Sequence, residues 1–133
     1  MSPVSWAYPE VDKLNPDDYN PDKAAELLEA SGWKMGADGI REKDGKKLAL
    51  KWCSYNDAEW SMKITALAVE QWKKIGVDLT IELMDFNSLS TLISDEGNAD
   101  KWDLWNMAWG LTADPDMYDV FSKTVFPPGN NRG

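Results

Sequence analysis

The 133-residue chain contains no histidine. That removes the Ser-His-Asp and Cys-His arrangements, in which an imidazole carries the proton, and the usual histidine-bearing zinc sets. Cysteine is nearly absent too. Cys53 stands alone, so no internal disulfide can form, and a lone free cysteine on an extended run is ordinarily a small buried hydrophobe. No apolar run approaches the roughly 20 residues that a membrane-spanning helix needs. The opening Met1-Ser2-Pro3 lacks the basic-then-apolar pattern of a secretion signal, so the chain reads as cytoplasmic or as a mature or excised piece. Positive charge is scarce, with 14 Lys and Arg against 23 Asp and Glu. The resulting net charge of −9 argues against nucleic acid and anionic membrane surfaces as partners.

What remains is an ordinary globular balance, 43% hydrophobic and 28% charged, at a length that supports one domain with a core. The eight tryptophans are the departure from ordinary usage. Residues 1–19 are Pro-rich and irregular, with Trp6, Tyr8 and Tyr19 as aromatic anchors. Asn20-Pro21 then opens a helix, Asn as N-cap and Pro at the first helical position. Ala24, Leu27 and Leu28 form its expected buried stripe, and Gly32 stops it, turning Trp33 back onto the helix.

Two extended runs, Gly39–Glu42 and Lys47–Cys53, flank Lys43-Asp44-Gly45-Lys46, where Asp-Gly is a strong hairpin signal. In the second run Leu48, Leu50 and Trp52 alternate with Lys47 and Lys51. Asn56 and Glu59 have the spacing of a capping box, opening a long helix. Its apolar face is expected to hold Trp60, Ile64, Leu67, Ala68, Gln71 and Ile75, with Gly76 as the stop. Val77–Leu83 alternates strictly, a strand. Asp85 or Asn87 opens a short helix carrying Leu89, Leu92 and Ile93, and Asn98–Lys101 reads as a loop. Trp102–Trp109 is the expected third main strand, with Trp102 and Trp105 on opposite faces, and Asp114-Pro115 starts a last short helix through Tyr118 and Phe121. The order hairpin–α–β–α–β predicts an α/β domain with a mainly parallel sheet, whose ends suggest a piece of a longer chain.

In such a sheet the ligand crevice lies beyond the carboxyl ends of the strands. Three segments reach that edge: Ser54-Tyr55-Asn56, Met84-Asp85-Phe86 and Trp109-Gly110-Leu111-Thr112. Aromatics, amides and backbone groups dominate them, the lining of a small-molecule site. Each also has a plainer role. Asn56 is a helix cap, tryptophans pack cores, and Asp114, Asp116 and Asp119 complement the positive end of a helix. Their spacing does not fit a calcium loop, and no residue set calls for a metal or a cofactor.

As a set, three segments carry a resemblance: Tyr19–Trp33, Asp38–Lys46 and Gln71–Val77, joined by Trp109-Gly-Leu-Thr-Ala-Asp-Pro-Asp-Met117. Together they resemble the family 5 extracellular solute-binding proteins, the oligopeptide, dipeptide and nickel receptors of ABC importers. The resemblance implies one lobe of a type II periplasmic-binding-protein-like fold, residues 1–133 making up most of the C-terminal lobe of a two-lobed receptor. It implies a peptide or similar small solute as ligand, with the other lobe and an ABC permease as partners. It also implies an extracytoplasmic setting, periplasmic or as a cell-surface lipoprotein. Carried onto this chain, Ala108, Trp109 and Gly110 look like the edge that pairs with an extended peptide backbone, with Leu111, Thr112, Asn106 and Asn56 beside them. Oligopeptide receptors often place an Asp where this chain has Thr112, and some an Arg where it has Asn106. The resemblance therefore leaves a charged ligand terminus without an obvious partner in this lobe, and a neutral or differently held ligand stays open.

Two other classes compete with the receptor. A carbohydrate-binding module would use exposed tryptophans, but such modules are mostly β-sandwiches, at odds with the helical periods here. A carboxylate-based glycosidase needs two convergent acids, and only Asp85 and Asp114 are candidates. Capture of a solute, not turnover, is the expected function.

Overall fold

The computed structural model describes Trp6, Tyr8, residues 18–107, Asp116 and residues 118–125. The chain divides into two compact units, Tyr19–Asn106 and Met1–Asp18 together with Met107–Gly133.

The larger unit begins with α1, Pro21–Ala30. As expected, Asn20 caps it, its side-chain oxygen accepting the Lys23 amide at 2.8 Å, and Pro21 fills the first turn. The helix ends as the sequence predicts. The Trp33 amide donates to the Leu28 carbonyl at 3.0 Å and the Gly32 amide to Glu29 at 3.1 Å. Gly32 takes the left-handed φ of 92° that this ending demands. The expected stripe, however, is not buried: Ala24 and Leu28 are half-buried and Leu27 is exposed. They line an apolar groove of about 470 Å³ with Leu48, Leu50, Trp72 and Val77. Trp6 and Tyr19, expected as anchors, are mostly exposed.

A small antiparallel sheet follows, β1 (Lys34–Met35), β2 (Arg41–Lys43) and β3 (Lys46–Lys47). Its hairpin turns at Asp44 and Gly45, with φ of 53° and 75° as a two-residue I′ turn requires. The expected single arm Lys47–Cys53 is divided. β3 stays with the hairpin, while β4 (Ala49–Tyr55) enters a second sheet. Leu48 is the switch: its amide donates to Arg41 at 2.7 Å, and its carbonyl accepts the Asp78 amide at 3.0 Å.

Arg41 locks this junction. Its side chain is buried and its Nε donates to the Ile75 carbonyl at 2.7 Å. Nη1 donates to the Trp33 carbonyl at 2.7 Å and to Glu29 at 2.8 Å. One guanidinium thus ties the hairpin to the ends of both flanking helices. Lys34 and Arg41, in that order, hold the Glu29 carboxyl below the usual carboxylate range.

The second sheet has the order β5-β4-β6 and is parallel throughout, with β5 at Asp78–Met84 and β6 at Leu104–Trp105. Parallel neighbours require crossovers, which α2 (Glu59–Lys74) and α3 (Phe86–Ser94) supply. The register pairs Leu50 with Leu79, Trp52 with Ile81 and Ser54 with Leu83, so these six share one sheet face. Trp52 stacks on Trp72 of α2 on that face, with centroids 6.5 Å apart. Cys53 is fully buried, as its place on an extended run predicts. The third strand is shorter than expected, its ladder limited to Leu104 and Trp105 among the described residues. Trp102 and Trp105, expected on opposite faces, meet edge to face at 6.5 Å. Asn98–Lys101, expected as a loop, falls within a 3-10 turn at Glu96–Lys101 capped by Asp95.

α2 turns a different side to the sheet from the one its apolar spacing predicts. Of the expected face Ala68 is buried and Gln71 and Ile75 are half-buried, but Trp60, Ile64 and Leu67 are exposed and Ser61 and Thr65 are buried in their place. Small side chains let the helix approach until the Ser61 and Ser54 hydroxyls meet at 2.7 Å. Thr65 satisfies its own buried hydroxyl on the Ser61 carbonyl at 3.0 Å. Close approach outweighs the apolar stripe in choosing the packed face. α2 ends like α1, with Val77 donating to Trp72 at 3.0 Å and Gly76 at a φ of 86°.

In the other unit, α4 covers Tyr118–Phe121 and a 3-10 turn covers Lys123–Val125. Asp116, expected only to complement the positive end of this helix, accepts the Tyr118 amide at 2.8 Å. Asp114-Pro115 lies outside the described residues.

Candidate functional site at the carboxyl edge of the parallel sheet

The strands of the parallel sheet end where the sequence places the crevice. Tyr55 closes β4, buried between Trp60 at 5.7 Å and Phe86 at 5.6 Å, both edge to face. The chain then extends the β4–β5 pairing by one bond, the Asn56 amide donating to the Met84 carbonyl at 2.9 Å. Asp57 accepts the Phe86 amide at 3.1 Å, joining the two strand ends across the edge. The result is an aromatic floor with a rim of amides and carboxylates.

Asn56 does not cap α2. The N-cap is Ala58, which makes no side-chain cap bond, and Glu59 pairs with Lys63 at 2.7 Å instead of closing a capping box. The helix starts later because Ser54–Asn56 are still engaged in the sheet. Asn56 is left with an exposed side chain at the crevice edge.

Asn106 sits just beyond β6, half-buried and turned inward. Its Oδ1 accepts the Trp52 indole N–H at 2.8 Å, and its Nδ2 donates to the Ser61 hydroxyl at 3.5 Å. Together with Ser54 this makes a polar chain that ties β4, α2 and the end of β6. Ala108, Trp109, Gly110, Leu111, Thr112 and Asp114 lie outside the described residues. Sequence reading missed the polar chain. A signal for it was present: an indole N–H in mid-strand needs an acceptor, and Ser54 lies on the inward side of the alternation.

The titratable groups at this edge hold structure. Asp85 caps α3, accepting the Ser88 amide at 3.0 Å and the Ser88 hydroxyl at 2.5 Å. Those bonds, the side-chain one foremost, keep its carboxyl below the usual range, so it stays ionised and makes a poor proton donor. Burial pushes the Cys53 thiol up, away from the reactive thiolate. Among the described residues, no three His, Cys, Asp or Glu side chains converge as a metal site.

This arrangement, an aromatic cluster at the ends of parallel strands, can be set beside known proteins. Residues 1–132 match the family described as "Bacterial extracellular solute-binding proteins, family 5 Middle". The oligopeptide-binding protein AppA of Bacillus subtilis is 32% identical over 133 residues, covering 98% of this chain and 24% of AppA. The structure of AppA in complex with a nonapeptide superposes with a TM-score of 0.79 at 32% identity, over 92% of this chain and 24% of that one. The oligopeptide-binding protein OppA of Lactococcus lactis subsp. lactis is 39% identical over 105 residues, covering 76% of this chain and 18% of OppA. Lactococcal OppA complexed with an endogenous peptide in the closed conformation superposes with a TM-score of 0.69 at 37% identity, covering 76% of this chain and 20% of that one. The chain thus spans about a quarter or less of the length of these relatives. Their architecture agrees with the expected type II lobe, and the parallel α/β sheet is not the sandwich a carbohydrate-binding module would show. With the match running from residue 1 to residue 132, the chain belongs to the bacterial extracellular solute-binding proteins of family 5.

Proposed function

We propose that this chain supplies part of the C-terminal lobe of an ABC-importer receptor that captures peptides between two lobes. In this reading the 133 residues belong to one partial domain of that lobe. One observation carries the reading: the aromatic floor of Tyr55, Trp60 and Phe86 and the exposed Asn56 lie together at the carboxyl edge of the parallel sheet. The complexes of AppA with a nonapeptide and of lactococcal OppA with an endogenous peptide support a peptide as the ligand. Ala108, Trp109 and Gly110 pair with the peptide backbone by strand addition, which gives affinity with little demand on ligand sequence. Leu111, Thr112 and Asn56 are further ligand contacts in this reading. Asn106 contributes by fixing the end of β6, since its carboxamide already serves Trp52 and Ser61.

The receptor acts by closure around its ligand and carries out no chemistry. Its setting is extracytoplasmic, anchored as a lipoprotein or free in a periplasm, and it delivers to a permease. Native mass spectrometry of the receptor-length protein after gentle purification tests this. A ladder of retained peptide masses is expected, and Trp109→Ala should thin it. A single non-peptide mass, or an empty protein that also ignores a peptide library, overturns the peptide assignment.

A further inference from the structure

Ser61 stands where three elements of the larger unit meet. Its hydroxyl is fully buried and lies 2.7 Å from the equally buried Ser54 hydroxyl at the end of β4. Asn106 Nδ2 reaches the same oxygen at 3.5 Å from just beyond β6. Buried hydroxyls cost free energy unless paired, and two small apolar side chains would pack α2 on β4 without that demand. Packing alone therefore gives no reason for serine at both positions.

What the pair does fix is the start of α2. Ala58 caps the helix with no side-chain bond, so no cap holds the first turn in place. Successive side chains of a strand point to opposite faces, so Ser54 meets α2 and Tyr55 turns away from it. Trp60, one residue before Ser61, must pass the end of the strand to meet Tyr55, and it does so edge to face at 5.7 Å. Phe86 completes the floor from the start of α3, 5.6 Å from Tyr55. How closely α2 stands to β4 decides whether Trp60 reaches, and the hydroxyl pair sets that distance.

We infer that Ser61 is a positioning residue for ligand capture: through Ser54 it holds Trp60 against Tyr55 and keeps the aromatic floor in one geometry. The inference rests on the reading of that floor as the peptide site. Ser61 itself is out of a ligand's reach, being completely buried. Thr65 supplies the contrast. It is buried on the same helix, yet its hydroxyl donates to carbonyls of that helix, Ser61 and Met62, both at 3.0 Å. Losing that hydroxyl breaks no tie between helix and strand.

Peptide affinity and the state of Trp60, both read on the receptor-length protein, test the assignment. Ser61→Ala, Ser54→Ala and the double variant are compared with Thr65→Val. The probe ligand is a pool of nonapeptides, the ligand length in the AppA complex. Trp60 is followed by fluorine NMR of fluorotryptophan-labelled protein, its resonance assigned by its loss in Trp60→Phe. Ser61→Ala and Ser54→Ala should each raise the apparent Kd roughly threefold to thirtyfold and shift the Trp60 resonance. The double variant should match them within about twofold, because all three break one bond. Thr65→Val should lower the melting temperature and leave both the Kd and the Trp60 resonance in place. An unmoved Trp60 resonance in Ser61→Ala, or an equal loss of affinity in Thr65→Val, overturns the inference. Bound peptide with a Kd unmoved in Ser61→Ala also overturns it, and keeps the receptor. A parent that binds no peptide, with a Trp60 resonance that moves in Ser61→Ala but not in Thr65→Val, does the reverse: the peptide reading fails and Ser61 still positions the floor.

Discussion

Replacing Arg41 with Met keeps the length of the buried stem and removes every hydrogen bond its head group makes. Nε and Nη1 serve the Ile75 and Trp33 carbonyls, both at 2.7 Å. A buried acceptor stripped of its donor costs about 1–3 kcal/mol, and two part-buried carbonyls place the loss near 3 kcal/mol. Glu29 adds little, because it is exposed and keeps Lys34 at 2.7 Å. Against a typical domain stability of about 5–15 kcal/mol, that is a large share. Urea unfolding followed by tryptophan fluorescence reads it directly. With a slope of about 1–3 kcal/mol per molar, the midpoint should fall by about 1–3 M at unchanged slope. Arg41→Lys should recover less than half of this, since an ammonium lacks the rigid fork that reaches two carbonyls and a carboxylate at once. A midpoint for Arg41→Met within about 0.3 M of the parent would refute the view that this guanidinium holds the junction together. Full recovery with Lys would show that charge, not fork geometry, is what matters.

Two further expectations concern the same unit. Gly76→Ala meets two obstacles, a φ of 86° and a new Cβ only 2.8 Å from Arg41 Cγ and 2.9 Å from Met35 Cε, whereas Gly39→Ala at a φ of 81° meets nothing within 4 Å. The loss should be about 1 kcal/mol at Gly39 and about 2–3 kcal/mol at Gly76, and equal losses in thermal melts would remove the crowding argument. Asp85→Asn should weaken α3 at neutral pH, because the ionised carboxyl takes two bonds from Ser88. Its pKa is lowered in the folded state, so this contribution is complete above the ordinary carboxylate value and disappears as pH falls through the folded one. Parent and variant should converge in acid, and a stability gap that persists unchanged there would contradict the assignment.

Most helix ends and the hairpin turn were the most legible parts of this sequence. Asn20, Gly32, Asp44-Gly45, Gly76 and Asp85 act through their own backbone neighbours, and all five do what local chemistry predicts. The parallel order followed from alternating strand and helix periods, which also set the carboxyl edge. Non-local competition defeated the rest. Apolar spacing marked the Trp60 face of α2 as buried, but Ser61 and Thr65 allow closer contact with β4, and that contact wins. Asn56 had the spacing of a cap, yet pairing of the strand end with Met84 came first. Arg41 gave no sign of burial, because its acceptors are carbonyls at residues 33 and 75, far along the chain. Of the expected ligand contacts, the strand ends placed Asn56 at the edge, while Asn106 turned inward to a tryptophan that no local pattern links to it.

The division of the chain at Leu48 bears on which length changes the segment can survive. Upstream, an extra residue beside Asp44-Gly45 would lengthen an exposed turn at modest entropic cost. At Leu48 there is no slack, because its amide and carbonyl are claimed by two different sheets. An added residue there would shift β4 by one position, sending Lys51 and Tyr55 toward α2 and turning Trp52 and Ser54 away from it. Insertions and deletions in related chains should therefore gather at the hairpin tip and stop short of this single residue, which keeps two sheets in step.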